Sequence, residues 1–415
     1  MKRISRRELL KRGAAGLGAA VAAPVLLHLG CHGGSGGDDL GGGPDDSPEA
    51  DVAAETGTPP AARVHAVLAA DLADLHGMGM RAAEALGFTG VALAGKTLFL
   101  KPNFVALGME ILGCGFDANT GEVTKPELVV GVAEQCLKAG AARVVIGEGS
   151  QTASWEWDTV TFVEGSSIEG ATEMKTAVER LKTVYGAERV DLVCLNGANE
   201  WKVIPSSSTH AAMADGISMG RAMFEADHIV SMPVLKTHQW ARMSGAMKNF
   251  FGGASIDIHG NGISRCKLHV AYDTATCHGI ENAGVSGSFV DMVKWRQDQG
   301  YRDYAIVDGT ICLEGNGPHK APVNDGRTIH TKNRNAAGKY FVLASDDLLA
   351  TDATLARLIG LQPDDIKGIR MARNAGLGVT EDIAIEGAAL ADLAIPDWLQ
   401  PDLQPESYFS GFCKV

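Results

Sequence analysis

Short apolar runs alternate with stretches of helical periodicity along most of this chain, and this alternation is the feature that most constrains its fold. The predicted strands are Arg63–Ala69, Thr97–Leu100, Ala142–Ile146, Val190–Leu195, His228–Met232, Asp303–Val307 and Lys339–Leu343. The predicted helices are Asp71–Leu86, Pro126–Lys138, Ala171–Tyr185, Met219–Ala226, Ser286–Asp298 and Asp346–Ile359. Strands that alternate with helices favour an α/β fold, in which helices flank a mainly parallel sheet.

Residues 1–30 have the pattern of a twin-arginine export signal. The segment Ser5–Lys11 reads S-R-R-E-L-L-K, and a Gly/Ala-rich apolar stretch follows it from Ala14 to Leu29. That stretch is too short to span a bilayer comfortably, which is typical of a cleaved signal. We therefore expect the twin-arginine export machinery as a partner, and a periplasmic or membrane-anchored location.

Residues 31–60 are dominated by Gly, Asp, Ser, Pro and Ala, and they are predicted to form a flexible tether. Two processing sites remain open. One is cleavage after Ala22, and the other is cleavage before Cys31, which would leave that cysteine for lipid attachment to the membrane. Residues 61–415 remain for the α/β domain, as one large domain or as two intimately joined lobes.

Net charge and cysteine spacing argue against a nucleic-acid partner and against sites built on C-x-x-C pairs. The formal net charge of the chain is −13, which argues against a nucleic-acid partner because such proteins present a basic face. The chain has eight cysteines, and no two of them have C-x-x-C spacing. The sequence therefore lacks a ferredoxin-type iron–sulfur motif and a structural zinc motif. Disulfides are compatible with export, but their pairing stays open.

Polar clusters begin where several predicted strands stop, and ligands of parallel sheets lie beyond the carboxyl ends of strands. Lys101 and Asn103 follow one strand in the motif L-K-P-N, and Glu148 and Ser150 follow another in the motif G-E-G-S. The glycines allow close backbone approach and expose main-chain donors. We assign ligand binding to Lys101, Asn103 and Ser150, and we take Glu148 as a metal ligand or a base.

The strongest cluster is K-T-H followed by S-G-A-M-K-N. Lys236, His238, Lys248 and Asn249 fall within fourteen residues of a largely apolar stretch. Lysines among apolar side chains are expected to point into a cleft, where they need an anionic partner. We assign the two lysines and the histidine to catalysis and Asn249 to ligand binding. Ser244 is predicted to cap a short helix that ends at the following Gly-Gly pair.

Two carboxylates and three histidines complete the candidate set. Asp308 ends a predicted strand and Glu314 lies in a Gly-rich loop, which suits catalysis by a general base or binding of a hard cation. Asp352 is expected on a helix surface. The candidate ligands of a divalent metal are Glu148, Asp308 and His238. One histidine of a Gly-rich region is a further candidate, the alternative for each being a plain loop histidine, and the sequence does not choose among His259, His269 and His278.

Six motifs in a fixed order resemble the family known as domain of unknown function 362, over roughly Arg63 to Gly376. They are L-K-P-N at Leu100–Asn103, G-E-G-S at Gly147–Ser150, P-x-L-K-T-H at Pro233–His238, S-G-A-x-K-N-F-F-G at Ser244–Gly252, V-D-G at Val307–Gly309 and E-G-N-G-P at Glu314–Pro318. The family name assigns no activity. Some members append a ferredoxin-like cysteine segment, which this sequence lacks, so the resemblance does not imply electron transfer here.

A second resemblance concerns His238 and Lys248, which are ten positions apart. Their arrangement is similar to the His, Gly-rich turn and Lys of the nickel-pincer lactate racemase family, in which the lysine holds a pyridinium-derived cofactor. The intervening segment 244–246 is less glycine-rich than in that family. This resemblance implies a cofactor-carrying redox or racemase-like protein.

Three functions therefore remain open. We expect an enzyme that acts on a small anionic molecule, a carboxylate or a phosphate, with a divalent metal as an option. The alternatives are a non-catalytic periplasmic protein that binds an anion or a metal, and a cofactor-carrying protein. For the enzyme, eight side chains are predicted to converge on one cleft: Lys101, Glu148, Lys236, His238, Lys248, Asn249, Asp308 and Glu314.

Overall fold

The computed structural model describes residues 61–88, 90–108, 115–152, 155–196, 200–211, 213–260, 264–318, 329–332, 335–411 and 413. The predicted export signal, tether and processing sites lie outside these residues. Pro60–Val415 form one compact unit. Within the described part of the chain, no helix has the length and the apolar character needed to cross a membrane.

Thirteen strands and eleven helices are described, in addition to short 3-10 turns. The strands are β1 Ala62–Ala69, β2 Thr97–Pro102, β3 Arg143–Glu148, β4 Val190–Cys194, β5 Trp201–Ile204, β6 Ile217–Gly220, β7 His228–Met232, β8 Val234–His238, β9 Arg242–Ser244, β10 Tyr304–Glu314, β11 Ile329–Lys332, β12 Tyr340–Ser345 and β13 Ile383–Glu386. The helices are α1 Leu75–Ala85, α2 Gly90–Leu93, α3 Pro126–Lys138, α4 Met174–Tyr185, α5 Arg221–Phe224, α6 Ile256–His259, α7 Cys266–Asp273, α8 Val285–Asp298, α9 Leu348–Leu358, α10 Lys367–Asn374 and α11 Leu390–Leu393.

Eleven of these strands form one sheet, whose main path has the order β13-β1-β12-β10-β7-β2-β3-β4. The stretch from β10 to β4 is parallel throughout. Strand β12 is antiparallel to both of its neighbours. The predicted α/β fold, with a mainly parallel sheet and flanking helices, is confirmed.

Helices cover both faces of the sheet, which explains why its strands are almost continuously apolar. Leu98 and Leu100 pack with helices α1, α3 and α4 on one face. Phe99, between them, packs on the other face with helices α8, α9 and α10. This alternation follows from the two-residue period of a strand.

The order of the strands places a crevice at β2. From β2 the chain builds outwards through β3 to β4, and it later returns with β7 to the other side of β2. Ligands of open α/β sheets bind at such reversals, beyond the carboxyl ends of the strands. Lys101 lies near the carboxyl end of β2, and Glu148 is the last residue of β3.

Some predicted bounds agree with the structure and others do not. Helix Pro126–Lys138 and strand His228–Met232 have the predicted bounds. Strand β10 continues past Val307 because its second half pairs with β8 and β11, a long-range contact that no local pattern signals. Gly309 inside β10 marks close packing, since a Cβ there would lie 2.2 Å from the Phe341 ring.

Two other local predictions were wrong. Ser244 ends strand β9 and caps no helix, and Met247 is the residue before the 3-10 helix Lys248–Gly253. The helix predicted from Met219 begins only at Arg221, because Met219 is in β6 and pairs with β5. In both places a strand pairing overrides the local helical signal.

Candidate functional site

A cavity of about 180 Å³ lies beyond the carboxyl ends of β2, β3 and β8. It is smaller than the roughly 300–1,000 Å³ of pockets that hold drug-sized ligands, so it suits a small molecule. Its charged and imidazole lining residues are Lys101, Glu148, Lys236, His238, Lys248, Arg265 and His269. We call this cavity the cleft.

Lys101 and Glu148 form a buried ion pair at the wall of the cleft. The Lys101 side chain is 1% exposed, and its Nζ donates to Oε1 of Glu148 at 2.7 Å. Oε2 of the same carboxylate accepts from the main-chain N–H of Phe104 at 2.6 Å. Burial lowers the pKa of Lys101, although the negative charge of Glu148 opposes the shift. The pair therefore largely neutralises itself.

Lys236 faces neutral acceptors. Its Nζ donates to Oδ1 of Asn103 at 3.1 Å and to the carbonyl oxygen of Glu122 at 2.7 Å. Burial, followed by the charge of Lys248, lowers the pKa of Lys236 to about 7. A lysine with that pKa can accept and return a proton at neutral pH.

Lys248 is the least constrained cation of the cleft. Its Nζ lies 5.8 Å from the centroid of the Phe251 ring, and it makes no hydrogen bond or ion pair with the rest of the described chain. Burial lowers the pKa of Lys248 to about 8, while the charge of Glu406 opposes the shift. A cation held in this way is available to an anionic ligand.

The turn before Lys248 is held by Asp352 of helix α9. Oδ1 of Asp352 accepts from the N–H of Ala246 at 2.6 Å, and Oδ2 accepts from the N–H of Met247 at 3.2 Å. The prediction that Asp352 lies on a helix surface was wrong, because the residue is 4% exposed. A Cβ at Gly245 would lie 2.2 Å from its Oδ1, so a side chain there would displace the carboxylate that holds the turn. Burial raises the pKa of Asp352 to about 7.

The hydrogen bonds of His238 define its tautomer. Its Nδ1 is 3.2 Å from the N–H of Trp240 and 3.3 Å from the N–H of Ala241, and both main-chain groups donate to it. The neutral ring therefore carries its proton on Nε2. His238 lines the cleft, and its assignment to catalysis stays a prediction.

Arg265 is a lining residue that the sequence did not reveal, because no motif surrounds it. Its guanidinium donates to the carbonyl oxygens of Ala254 at 2.6 Å, Ser150 at 3.2 Å and Gly252 at 3.0 Å. Burial lowers the pKa of Arg265 to about 10. A Cβ at Gly149 would lie 2.2 Å from the carbonyl oxygen of Gly252, which explains the second glycine of G-E-G-S.

Of the three candidate histidines, His269 lines the cleft. Its Nδ1 lies 2.5 Å from Oε2 of Glu406, and its ring stacks on Phe409 with the centroids 3.9 Å apart. Burial lowers the pKa of His269. By contrast, Nε2 of His259 accepts from the N–H of Ser218 at 2.8 Å, away from the cleft.

Asn103, Asn249 and Ser150 also line the cleft. Nδ2 of Asn249 donates to the carbonyl oxygen of Lys101 at 2.6 Å. The Ser150 hydroxyl donates to the carbonyl oxygen of Leu107 at 2.6 Å. These bonds hold the walls together, and a direct role of the three side chains in ligand binding stays a prediction.

Asp308 and Glu314 do not join the cleft, which corrects the prediction of a single eight-residue cluster. Both lie in β10 and are fully buried. Asp308 Oδ2 accepts from the main-chain N–H of Lys125 at 2.8 Å and lies 3.3 Å from its Nζ. Glu314 Oε2 accepts from the N–H of Leu399 at 2.9 Å. Each carboxylate stabilises the fold, because a buried carboxylate needs such partners.

The predicted metal ligands Glu148, Asp308 and His238 do not come together, since Asp308 lies elsewhere. Both Glu148 oxygens already accept hydrogen bonds. Among the described residues, a group that could hold a metal ion lies outside the cleft and comprises His210, Cys277, His278 and Asp291.

The cleft carries an excess of positive charge. Among its described lining residues, three lysines and one arginine face a single carboxylate. The prediction that three acids would balance three lysines was therefore wrong, because two of those acids lie elsewhere. The negative charges of Glu122 and Glu406, which do not line the cleft, offset part of this excess at Lys236 and Lys248. Buried cations are costly without an anion, so the remaining excess favours an anionic ligand.

Comparison with known proteins identifies one family. The family described as Domain of unknown function (DUF362) matches residues 99–357. No curated protein matches the chain. One solved structure with a partial likeness is the lactate racemase apoprotein from Thermoanaerobacterium thermosaccharolyticum, with 14% identity and a TM-score of 0.29 over 60% of this chain and 51% of that one. This chain thus spans about half the length of that protein, and the likeness assigns it no activity.

Proposed function

This chain belongs to the DUF362 family, and we propose that its cleft binds a small carboxylate or phosphate and catalyses a proton transfer on it. The observation that carries this proposal is the excess of cations in a small cavity. Lys248, in particular, makes no ion pair with another described residue. An anion of few atoms would supply the missing charge.

The two lysines Lys248 and Lys236 have different roles in this proposal. Lys248 binds the anionic group of the ligand in the cleft. Lys236, whose pKa is about 7, takes a proton from the ligand and returns it. The fixed charge of the cleft stabilises the negative charge that develops when the proton leaves.

The same residues would serve a non-catalytic binding protein, and turnover separates the two functions. The cofactor-carrying alternative also stays open. A visible absorbance band in protein purified from its native host would favour that alternative.

The first experiment measures binding. Acetate, glycolate, malonate and inorganic phosphate are titrated into the purified protein by calorimetry. Lys248→Met should weaken the tightest of them by roughly tenfold or more, since a hydrogen bond to a charged group contributes about 1.5–3 kcal/mol. Lys202→Met removes the same charge from an exposed position outside the cleft, and it should leave binding unchanged. Equal effects of both variants would contradict the proposed site.

The second experiment tests proton transfer. Glycolate is incubated with the protein in deuterium oxide, and loss of the proton on the carbon next to the carboxylate is followed by NMR. The wild type should exchange it faster than Lys236→Met, while Lys202→Met should match the wild type. Tight binding without exchange or turnover of any compound in the set would favour the binding protein.

We also propose export by the twin-arginine route, with anchoring through Cys31 as an open option. The disulfide between Cys266 and Cys413 supports an oxidising compartment. Arg6→Lys combined with Arg7→Lys should leave precursor in the cytoplasm, because the transporter distinguishes guanidinium from ammonium. Cys31→Ala should release the protein from membranes if that cysteine carries lipid. Normal export of the double variant would refute the signal.

A further inference from the structure

We propose that His210, Cys277, His278 and Asp291 form a structural site for a zinc-class divalent ion, separate from the cleft. The four come from three segments: the chain before β6, the connection between α7 and α8, and helix α8 itself. Their ligand atoms all lie within 4.8 Å of one another. None of the four lines the cleft.

Asp291 is oriented so that one of its oxygens faces the other three residues. Its Oδ2 accepts from the Tyr272 hydroxyl at 2.5 Å and from the N–H of His210 at 2.8 Å. Its Oδ1 lies 2.7 Å from Nδ1 of His210, 3.6 Å from Sγ of Cys277 and 3.7 Å from Nε2 of His278. Outer hydrogen bonds that fix a carboxylate in this way are typical of metal ligands.

The environment of His278 also indicates a ligand. Its Nε2 is buried and makes no hydrogen bond to any part of the described chain. Asp291 Oδ1, at 3.7 Å, is too far away for a hydrogen bond. Buried polar atoms without a hydrogen bond are rare, and they call for an unseen ion or water. The rings of His278 and His210 lie 4.2 Å apart at their centroids, so both imidazoles approach the same point.

The donor set favours zinc over a hard cation. Two imidazoles, one thiol and one carboxylate give two nitrogen, one sulfur and one oxygen donor, whereas Mg²⁺ and Ca²⁺ select oxygen. In tetrahedral zinc sites the metal–nitrogen and metal–sulfur distances of about 2.0 and 2.3 Å place donors roughly 3.3–3.6 Å apart. The distances from Asp291 Oδ1 to the donor atoms of the other three residues are 2.7, 3.6 and 3.7 Å, and these values lie on both sides of that range.

The site has a path for entry and a structural consequence. The His210 side chain is 37% exposed while that of Asp291 is 1% exposed, so an ion can reach the buried donors from the His210 side. Four protein ligands leave no open position, as in structural zinc sites. Helix α7 carries Tyr272, which holds Asp291, and His269, which lines the cleft. A bound ion would therefore stabilise the helix that forms one wall of the cleft.

The test uses the full-length protein after dialysis against a chelator. Zn²⁺ is titrated by calorimetry, and Co²⁺ is added in parallel as a spectroscopic probe. We expect one equivalent of Zn²⁺ and, with Co²⁺, a thiolate-to-cobalt charge-transfer band together with intense d–d bands of tetrahedral geometry. Zn²⁺ should also raise the Tm, because a ligand that binds the native state stabilises it by mass action.

Two variants and a matched control decide the result. Cys277→Ser should abolish the charge-transfer band, and His278→Ala should weaken Zn²⁺ binding by more than the roughly 10–100-fold lost with an outer-shell partner. Cys194→Ser removes a half-buried free thiol outside the group and should change neither readout. The inference is overturned if wild-type protein shows no thiolate band with Co²⁺, or if both His278→Ala and Cys277→Ser bind Zn²⁺ as wild type does.

Discussion

Lys101 and Lys248 line the same cleft but differ in their partners, so their removal should have different consequences. Lys101→Met leaves the Glu148 carboxylate buried without its cation, and it should lower the free energy of unfolding by about 3–5 kcal/mol. Lys248→Met breaks no ion pair and removes a charge that repels Lys236, so stability should change by less than about 1 kcal/mol. Urea denaturation of both variants measures the difference.

A double variant controls for packing in that comparison. Lys101→Met combined with Glu148→Gln removes both charges, and it should recover much of the stability lost by Lys101→Met alone. If Lys248→Met proves as destabilising as Lys101→Met, then Lys248 has a structural partner and its assignment to the ligand fails.

The pKa values of the lysines predict how ligand affinity depends on pH. Burial lowers the pKa of Lys236 to about 7 and that of Lys248 to about 8. An anion binds best when both are protonated, so affinity should be highest below pH 7. Above the pKa of each lysine that must be protonated to bind the anion, the affinity should fall by up to about tenfold per pH unit. Acetate suits the measurement, because its carboxylate stays ionised from about pH 6 to about pH 9.

The matched comparison for the pH profile is Lys248→Met, whose weaker affinity should fall less steeply because one titrating cation is gone. A wild-type affinity that stays constant across this range would mean that neither lysine contacts the anion.

Residues of the cleft that lie in sequence motifs were predicted, and those that lie outside motifs were not. Lys101, Glu148 and Lys248 were identified from clusters that follow apolar runs. Arg265 has no such signal, since its role depends on carbonyl groups that only the folded chain brings to it. Asp308 was predicted at the end of a strand but lies inside β10, because the V-D-G motif resembles the sequence at which a strand ends.

At the scale of elements, helix α9 positions the 3-10 helix that carries Lys248. Asp352→Ala would leave the N–H groups of Ala246 and Met247 without their acceptor, at a cost of about 1–3 kcal/mol each. Because these amides precede Lys248, the substitution should also weaken anion binding. Calorimetry and urea denaturation, on the same preparation, measure the two effects.

Asp347→Ala is the control on the same helix. It removes the N-cap bond from Ala350, 2.7 Å long, and a 3.2 Å bond from the N–H of Val379, at a cost of about 1–2 kcal/mol. It should destabilise the protein without changing anion affinity. If Asp352→Ala also leaves affinity unchanged, the turn does not position Lys248.

Elements with strong local signals were predicted well. Helix α3 has Pro126 at its start and Gly140, with a φ of 92°, just beyond its end. By contrast, Ser244 has the composition of a helix cap but ends β9, because β9 pairs with β8. Local helical propensity thus yields to strand pairing, here within the hairpin formed by β8 and β9.

At the scale of the whole molecule, the cleft depends on segments far apart in sequence. The disulfide joins Cys266 at the start of helix α7 to Cys413, at a sequence separation of 147. The C-terminal segment it secures lies beyond the matched region, which ends at residue 357. That segment brings Glu406 and Phe409 against His269. Neither the pairing nor this wall could be read from the sequence, because both arise from tertiary contacts.

The disulfide therefore supports both stability and the shape of the cleft. Cys413→Ser should lower the free energy of unfolding by about 2–4 kcal/mol, because the unfolded chain gains entropy when a long loop is opened. It should also weaken anion binding, since the segment that carries Phe409 loses its covalent tie to helix α7.

A phosphine reductant, which avoids metal chelation by dithiols, should lower the Tm of the wild type to that of Cys413→Ser. Cys136→Ser, at a buried free thiol, keeps the disulfide, so the reductant should lower its Tm by as much as that of the wild type, whereas the Tm of Cys413→Ser should not change. If the wild-type Tm stays unchanged once two additional thiols are titrated, the disulfide does not stabilise the native state.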